Sequence, residues 1–106
     1  FSMTTLSTAI ADYLSTPINS INDVKYFLSR YPTNVQQQFV SALYIGRDHI
    51  HYSSLRENTE ISSQNYDHIQ GSEYSRLIFE KGSNVATYLQ KFRECATASN
   101  FNIDAL

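Results

Sequence analysis

The stretch Pro32–His49, PTNVQQQFVSALYIGRDH, constrains the fold of this chain more than any other part of it. Val35, Phe39, Ala42, Leu43 and Gly46 recur at i, i+4, i+7, i+8 and i+11, which places them on one face of a helix. At about 100° per residue, Val40 and Tyr44 widen that face on one flank and Ile45 on the other. Only a strip through Gln37 and Ser41 is plainly polar. A helix apolar on so many sides belongs between neighbours, not on a surface. The spacing therefore predicts an all-α fold, a compact bundle of about five helices around a central apolar helix over 33–45. Thr33 stands three residues before Gln36, the spacing of a capping box in which each side chain satisfies the other's backbone N–H. Gly46 has two readings: a left-handed C-cap, or a point where a second helix comes close. The polar run Arg47-Asp48-His49 that follows favours the cap.

The rest of the chain supplies the neighbours. Leu6, Ala9, Ile10, Tyr13 and Leu14 form the stripe of a helix from about Thr4 to Leu14, stopped before Pro17. Ser20, with Asp23 three residues on, caps a second helix whose inward face is Ile21, Val24, Phe27, Leu28 and Tyr31. Pro32 separates it from the central helix by so short a link that the two must be direct neighbours. After Gly46 the pattern lapses, giving a long polar connection at about 47–65 in which Ser53–Glu57 can form one serine-capped turn. Periodicity returns at Tyr66, Ile69, Tyr74, Leu77 and Ile78, with a helix from about Ser72 to Lys81 closed by Gly82. Ser83 caps a last helix to about Ser99, with Val85, Tyr88, Leu89, Phe92, Cys95, Ala96 and Ser99 on one face. Phe101, Ile103 and Leu106 belong to a tail that docks back on the body.

At 106 residues the chain is read as one domain, 3–106, with Phe1-Ser2 ahead of Met3 as a vector remnant. Charged residues are only 17%, and Ser, Thr, Asn and Gln together fill about a third of the chain. A surface so poor in charge resists association weakly, so self-association or a dedicated protein partner is expected. Eight tyrosines, amphipathic and suited to interfaces, point the same way. A net charge of -2 gives no general attraction to nucleic-acid backbones or anionic lipid. No apolar run approaches the roughly 20 residues needed to cross a bilayer. Cys95 is the one cysteine, which excludes an internal disulfide and fits a reducing compartment; with no secretory signal visible, a cytoplasmic location is the expectation.

Three patterns carry chemistry. In Asp48-His49-Ile50-His51-Tyr52, an extended backbone would point His49 and His51 to one side, and Asp67-His68 offers a second pair. The set Asp48, His49, His51, Asp67 and His68 is the candidate ligand set for a divalent metal such as zinc, although its spacing matches no familiar zinc signature. The second and central helices, with Gln36, Gln37 and Gln38 as base-reading side chains, outline a helix-turn-helix, which the apolar character of that helix and the negative net charge oppose. Arg47 lies at a helix C-terminus, where the dipole disfavours anions, so it should bond the last carbonyls or pair with a carboxylate. Cys95 falls on a buried stripe as a small hydrophobe. No nucleophile elbow or Gly-rich phosphate loop occurs, so no catalytic residue is assigned.

Gln38–Asp48, QFVSALYIGRD, resembles the aliphatic helix ending in an aromatic-Ile-Gly-Arg turn of a small bacterial helical domain family of unknown function. Ala86-Thr87-Tyr88-Leu89 is similar to that family's C-terminal helical motif. Asp48 stands where the family has a second glycine, and the family's Pro-bearing C-terminal segment is missing. The resemblance implies a bacterial, intracellular helical protein and carries over no activity. The leading expectation is a non-enzymatic interaction or regulatory domain, homodimeric or with a protein partner and without a cofactor; the second is a metal-dependent enzyme or metal binder.

Overall fold

A computed structural model describes residues 5–57 and 60–106. The expectations for Phe1-Ser2 and for a helix start at Thr4 fall outside them. Five helices form: α1 Leu6–Ser15, α2 Ile21–Ser29, α3 Thr33–Asp48, α4 Tyr74–Lys81 and α5 Asn84–Ala98. Short 3-10 turns occupy Ser63–Tyr66, Gly71–Glu73 and Ile103–Ala105, and no strand occurs among the described residues. The expected all-α bundle around the Pro32–His49 stretch is what forms. No helix of the described residues is long and apolar enough to cross a membrane.

The first corner of the bundle is aromatic. α1 starts at Thr5, whose hydroxyl accepts the N–H of Thr8 at 3.3 Å, and it buries Leu6, Ala9, Ile10 and Tyr13. α2 opens on the expected N-cap Ser20, and Asp23 goes further than its acidic place in the first turn required by completing a capping box with it. Phe27 then meets Tyr13 and Phe39 with ring centroids 5.1 Å away in each case. Each such pair is worth about 0.5–1.5 kcal/mol beyond the area it buries. Next to this cluster the Tyr31 hydroxyl donates to Asp12 at 2.6 Å, and Arg30 pairs with the same carboxylate at 2.9 Å. Burial, and then the Asp12 carboxylate, push the Tyr31 phenol up to about 12.

Two details of α3 depart from expectation. The Thr33–Gln36 capping box does not form: Pro32 is the N-cap residue and Thr33 is already helical. Gln36 instead donates to Leu28 O at 2.8 Å and Tyr31 O at 3.0 Å. Carbonyls at the end of a helix have no partner within it, and the close turn at Pro32 brings those of α2 within reach of Gln36. The second departure is Gly46, which does not end the helix. α3 continues to Asp48, with His49 as its C-cap, because Arg47 and Asp48 lie on its solvent side. A Cβ at Gly46 would stand 1.9 Å from the Tyr88 carbonyl oxygen and 2.7 Å from its carbonyl carbon. Gly46 therefore serves the close approach of α5, and the cap reading is corrected.

α3 packs most extensively against α5, which buries Val85, Leu89, Phe92, Cys95 and Ala96. Tyr88 is half-buried, and Ser99 lies just beyond the helix, exposed. Gly82, at φ 55°, closes α4 as expected, but the Ser83 side chain makes no capping bond to α5. The connection from His49 onward carries no helical turn at 53–57; it is pinned by the buried Leu55, whose N–H donates to Ser99 Oγ at 2.9 Å. The C-terminal tail docks on the body: Leu106 is buried and its carbonyl accepts from Ser63 N at 3.1 Å. Asp104 accepts from the N–H and the hydroxyl of Ser7 at 2.9 Å each, a carboxylate at the positive end of α1.

Candidate functional site

The five candidate metal ligands do not converge. The run Asp48–Tyr52 is not extended: Asp48 ends α3 and His49 caps it, so the alternation that would align His49 with His51 is absent. His49 is buried, with Nδ1 2.8 Å from Ile45 O and Nε2 accepting from Arg56 N at 3.1 Å. A proton on Nδ1 satisfies both contacts, and His49 then works as a staple between α3 and the connection. Asp48, His51, Asp67 and His68 are exposed. Among the described residues no three His, Cys, Asp or Glu side chains group so as to hold a metal ion.

The base-reading glutamines are committed as well. Gln36 serves α2, Gln37 donates to Ser63 O at 3.0 Å, and Gln38 donates to Asp104 O at 3.3 Å. α3 thus ties three other segments to itself and holds none of these amides out to a nucleic-acid groove. Cys95 is buried and faces the Tyr52 carbonyl at 3.6 Å, and burial pushes its thiol up, away from the nucleophilic thiolate.

A groove opens on the shoulder of α3. Ser62 caps the 3-10 turn Ser63–Tyr66, and Gln37 holds that turn against α3. This places the Tyr66 ring on Tyr44, stacked at 5.5 Å and 11°. Beyond the pair lies the groove itself, of about 490 Å³, lined by Tyr44, Tyr66, His68, Ile69 and Gln70 together with Glu73, Arg76 and Leu77 from the α4 end. Burial, reinforced by the charge of Asp48, raises the Tyr66 phenol.

Two cations meet on the Tyr44 ring. The Arg47 guanidinium lies 5.2 Å and the Lys81 ammonium 4.7 Å from its centroid. Arg76, nearby on α4, is neutralised by Glu73 and Glu80. Among the described residues neither Arg47 nor Lys81 has a carboxylate within 4.0 Å; the ion pairs there are Arg30–Asp12, Arg76–Glu73, Arg76–Glu80 and Lys91–Glu94. The expectation that Arg47 bonds terminal carbonyls or a carboxylate is corrected: its head turns back one helical turn onto an aromatic face, where the ring quadrupole holds it. Burial, and then repulsion from Arg47, lower the Lys81 ammonium from its ordinary value.

Tyr44, Tyr66, Ile69 and Leu77 had the periodicity of core positions, yet all four are half-buried and line the groove. A signal was present in the sequence: Tyr44 and Arg47 stand three apart, the spacing at which helical side chains touch. Lys81 and Tyr66 arrive from distant segments and carried no such mark. A second cavity, of about 340 Å³, lies between α1 and the α4–α5 elbow, lined by Leu14, Ile18, Phe79 and Ala86 among others and by no charged residue. Comparison with family models, with curated proteins and with solved structures finds no match to this chain in any of the three.

Proposed function

We propose that this chain is a non-enzymatic interaction domain that receives a segment of a partner protein in the groove between α3 and α4. The observation that carries this reading is the Tyr44–Tyr66 stack at the mouth of an open groove with Ile69 and Leu77 beside it. Stacked, partly buried aromatic rings are already ordered, so a partner side chain laid on them gains contact area at small entropic cost. The charge-poor surface and the exposed Tyr26 and Tyr52 support the same class of function.

Site-directed photocrosslinking in cells tests it. A photoreactive amino acid at His68, on the groove rim, is expected to give a discrete protein adduct, whereas the same residue at Gln90, on the outer face of α5, gives none. An adduct of twice the chain's 12.1 kDa mass would identify the partner as a second copy. Equal labelling from both positions, or none from His68, would remove the groove as the docking site.

A further inference from the structure

Among the described residues, two cations that enter no ion pair, Arg47 and Lys81, share the ring of Tyr44. Arg47 and Lys81 do occupy the last turns of α3 and α4, where a positive side chain complements the helix dipole. Their heads, however, are not at those carbonyls: among the described residues neither makes a hydrogen bond, and both converge on one ring. A guanidinium and an ammonium together offer eight N–H donors. Cation–π attraction accounts for each cation singly, at about 0.5–1 kcal/mol where solvent has access. It does not offset the repulsion between two like charges gathered around one ring, and Lys81 is itself half-buried. An anion between them would remove the repulsion and use the donors. The other charges of this shoulder do not play that part: Glu73 and Glu80 are held by Arg76, and Asp48, although next to Arg47 in sequence, pairs with neither cation.

Resting on the docking reading above, we propose that the groove recognises an acidic segment of the partner. A carboxylate of that segment sits between Arg47 and Lys81, and a neighbouring apolar or aromatic side chain enters the groove over Tyr66, Ile69 and Leu77. Arg47 supplies the planar fork that suits a carboxylate, and Lys81 a mobile point charge beside it. The apolar neighbour gives the segment its register, because Tyr44, the ring that carries the cations, itself lines the groove, while Arg47 and Lys81 stand just outside it and the groove's own carboxylate, Glu73, is held by Arg76.

The test is selection of random heptapeptides displayed on phage against the intact protein, followed by affinity measurements on the peptides recovered. The expected result is enrichment of Asp or Glu next to Leu, Phe or Tyr. Arg47→Gln combined with Lys81→Gln should weaken these peptides at least tenfold, with circular dichroism unchanged, while Arg47→Lys, which keeps the charge and loses the fork, should weaken them by a smaller factor. Rising ionic strength should weaken the wild type and leave the double variant nearly unaffected. Neutral peptides that bind in the groove, lose binding on Leu77→Asp and ignore the loss of both cations would overturn the acidic inference and leave the docking reading standing. An empty selection, or peptides indifferent both to Leu77→Asp and to the cations, would overturn both. Inorganic phosphate alone is the remaining arm: if it displaces the peptides and shifts the same nuclear magnetic resonance signals at low millimolar concentration, the site is one for a small anion and the peptide proposal falls.

Discussion

Tyr44 and Gly46 are next-but-one neighbours on α3, so at about 100° per residue they face nearly opposite ways. On the Gly46 side the absence of a side chain lets the α5 backbone come within a distance that even a methyl group would forbid. On the Tyr44 side a large ring, thickened by Tyr66, stands between α3 and α4 and a groove remains. Both faces are apolar in composition, and hydrophobicity alone does not tell them apart. The size of one residue decides whether a face of the central helix becomes a seam or an opening.

The largest test of that contrast is Gly46→Ala. The new methyl would meet backbone atoms of Tyr88, which cannot rotate away, so α5 must shift along its whole length. Overpacking of this kind costs about 3 kcal/mol or more, and the better helix propensity of alanine offsets only about 1 kcal/mol of it. Urea unfolding should show a net loss of at least about 2 kcal/mol; an unchanged midpoint would mean that the seam is loose. Next comes His49→Ala, which leaves a cavity and removes the acceptor of the Arg56 N–H. Ile45 O keeps the backbone N–H of residue 49 as a donor, so the loss should be near 2 kcal/mol, with faster hydrogen exchange confined to the connection.

Tyr31→Phe probes a corner outside both faces and adds a pH dependence. The phenol of Tyr31 is raised in the folded chain to about 12. A raised folded value means that the stabilisation is fully present below the ordinary tyrosine value near 10 and is lost as pH climbs towards the folded one. The variant should lose about 1 kcal/mol at neutral pH, and the gap to the wild type should close between about pH 10 and 12 in alkaline unfolding. The smallest effect is expected for Tyr44→Ala: about 1 kcal/mol or less of stability for the lost stack. Because the Gly46–Tyr88 contact is left intact, that variant keeps its cooperative transition while losing the crosslink from the groove.

The bundle was legible because its signal is redundant. Each stripe of α1, α2 and α5 repeats over several turns, and the Ser20 cap and Gly82 mark boundaries through local geometry alone. The misread positions share a different cause. Gln36 had two possible sets of partners, and the winning set is the free carbonyls of another helix. Gly46 had a local reading and a tertiary one, and what decided between them was the approach of Tyr88, far along the chain. The histidine cluster assumed an extended backbone that the continuation of α3 removes. Of the groove, only the Tyr44–Arg47 spacing was visible beforehand. Its other half comes from Tyr66 and Lys81, whose placement depends on how the 3-10 turn and the α4–α5 elbow fold over α3.

The contact at Gly46 also acts as a gauge. Arg47 is the next residue of α3, and Lys81 is joined to α5 through Gly82 and Ser83 alone, one short elbow ahead of Tyr88. When the Tyr88 carbonyl seats against Gly46, it fixes how far α5 can slide along α3, and the elbow carries that setting to Lys81. The spacing of the two cations on Tyr44 is thus calibrated from the far side of the helix, by a residue that never touches the groove.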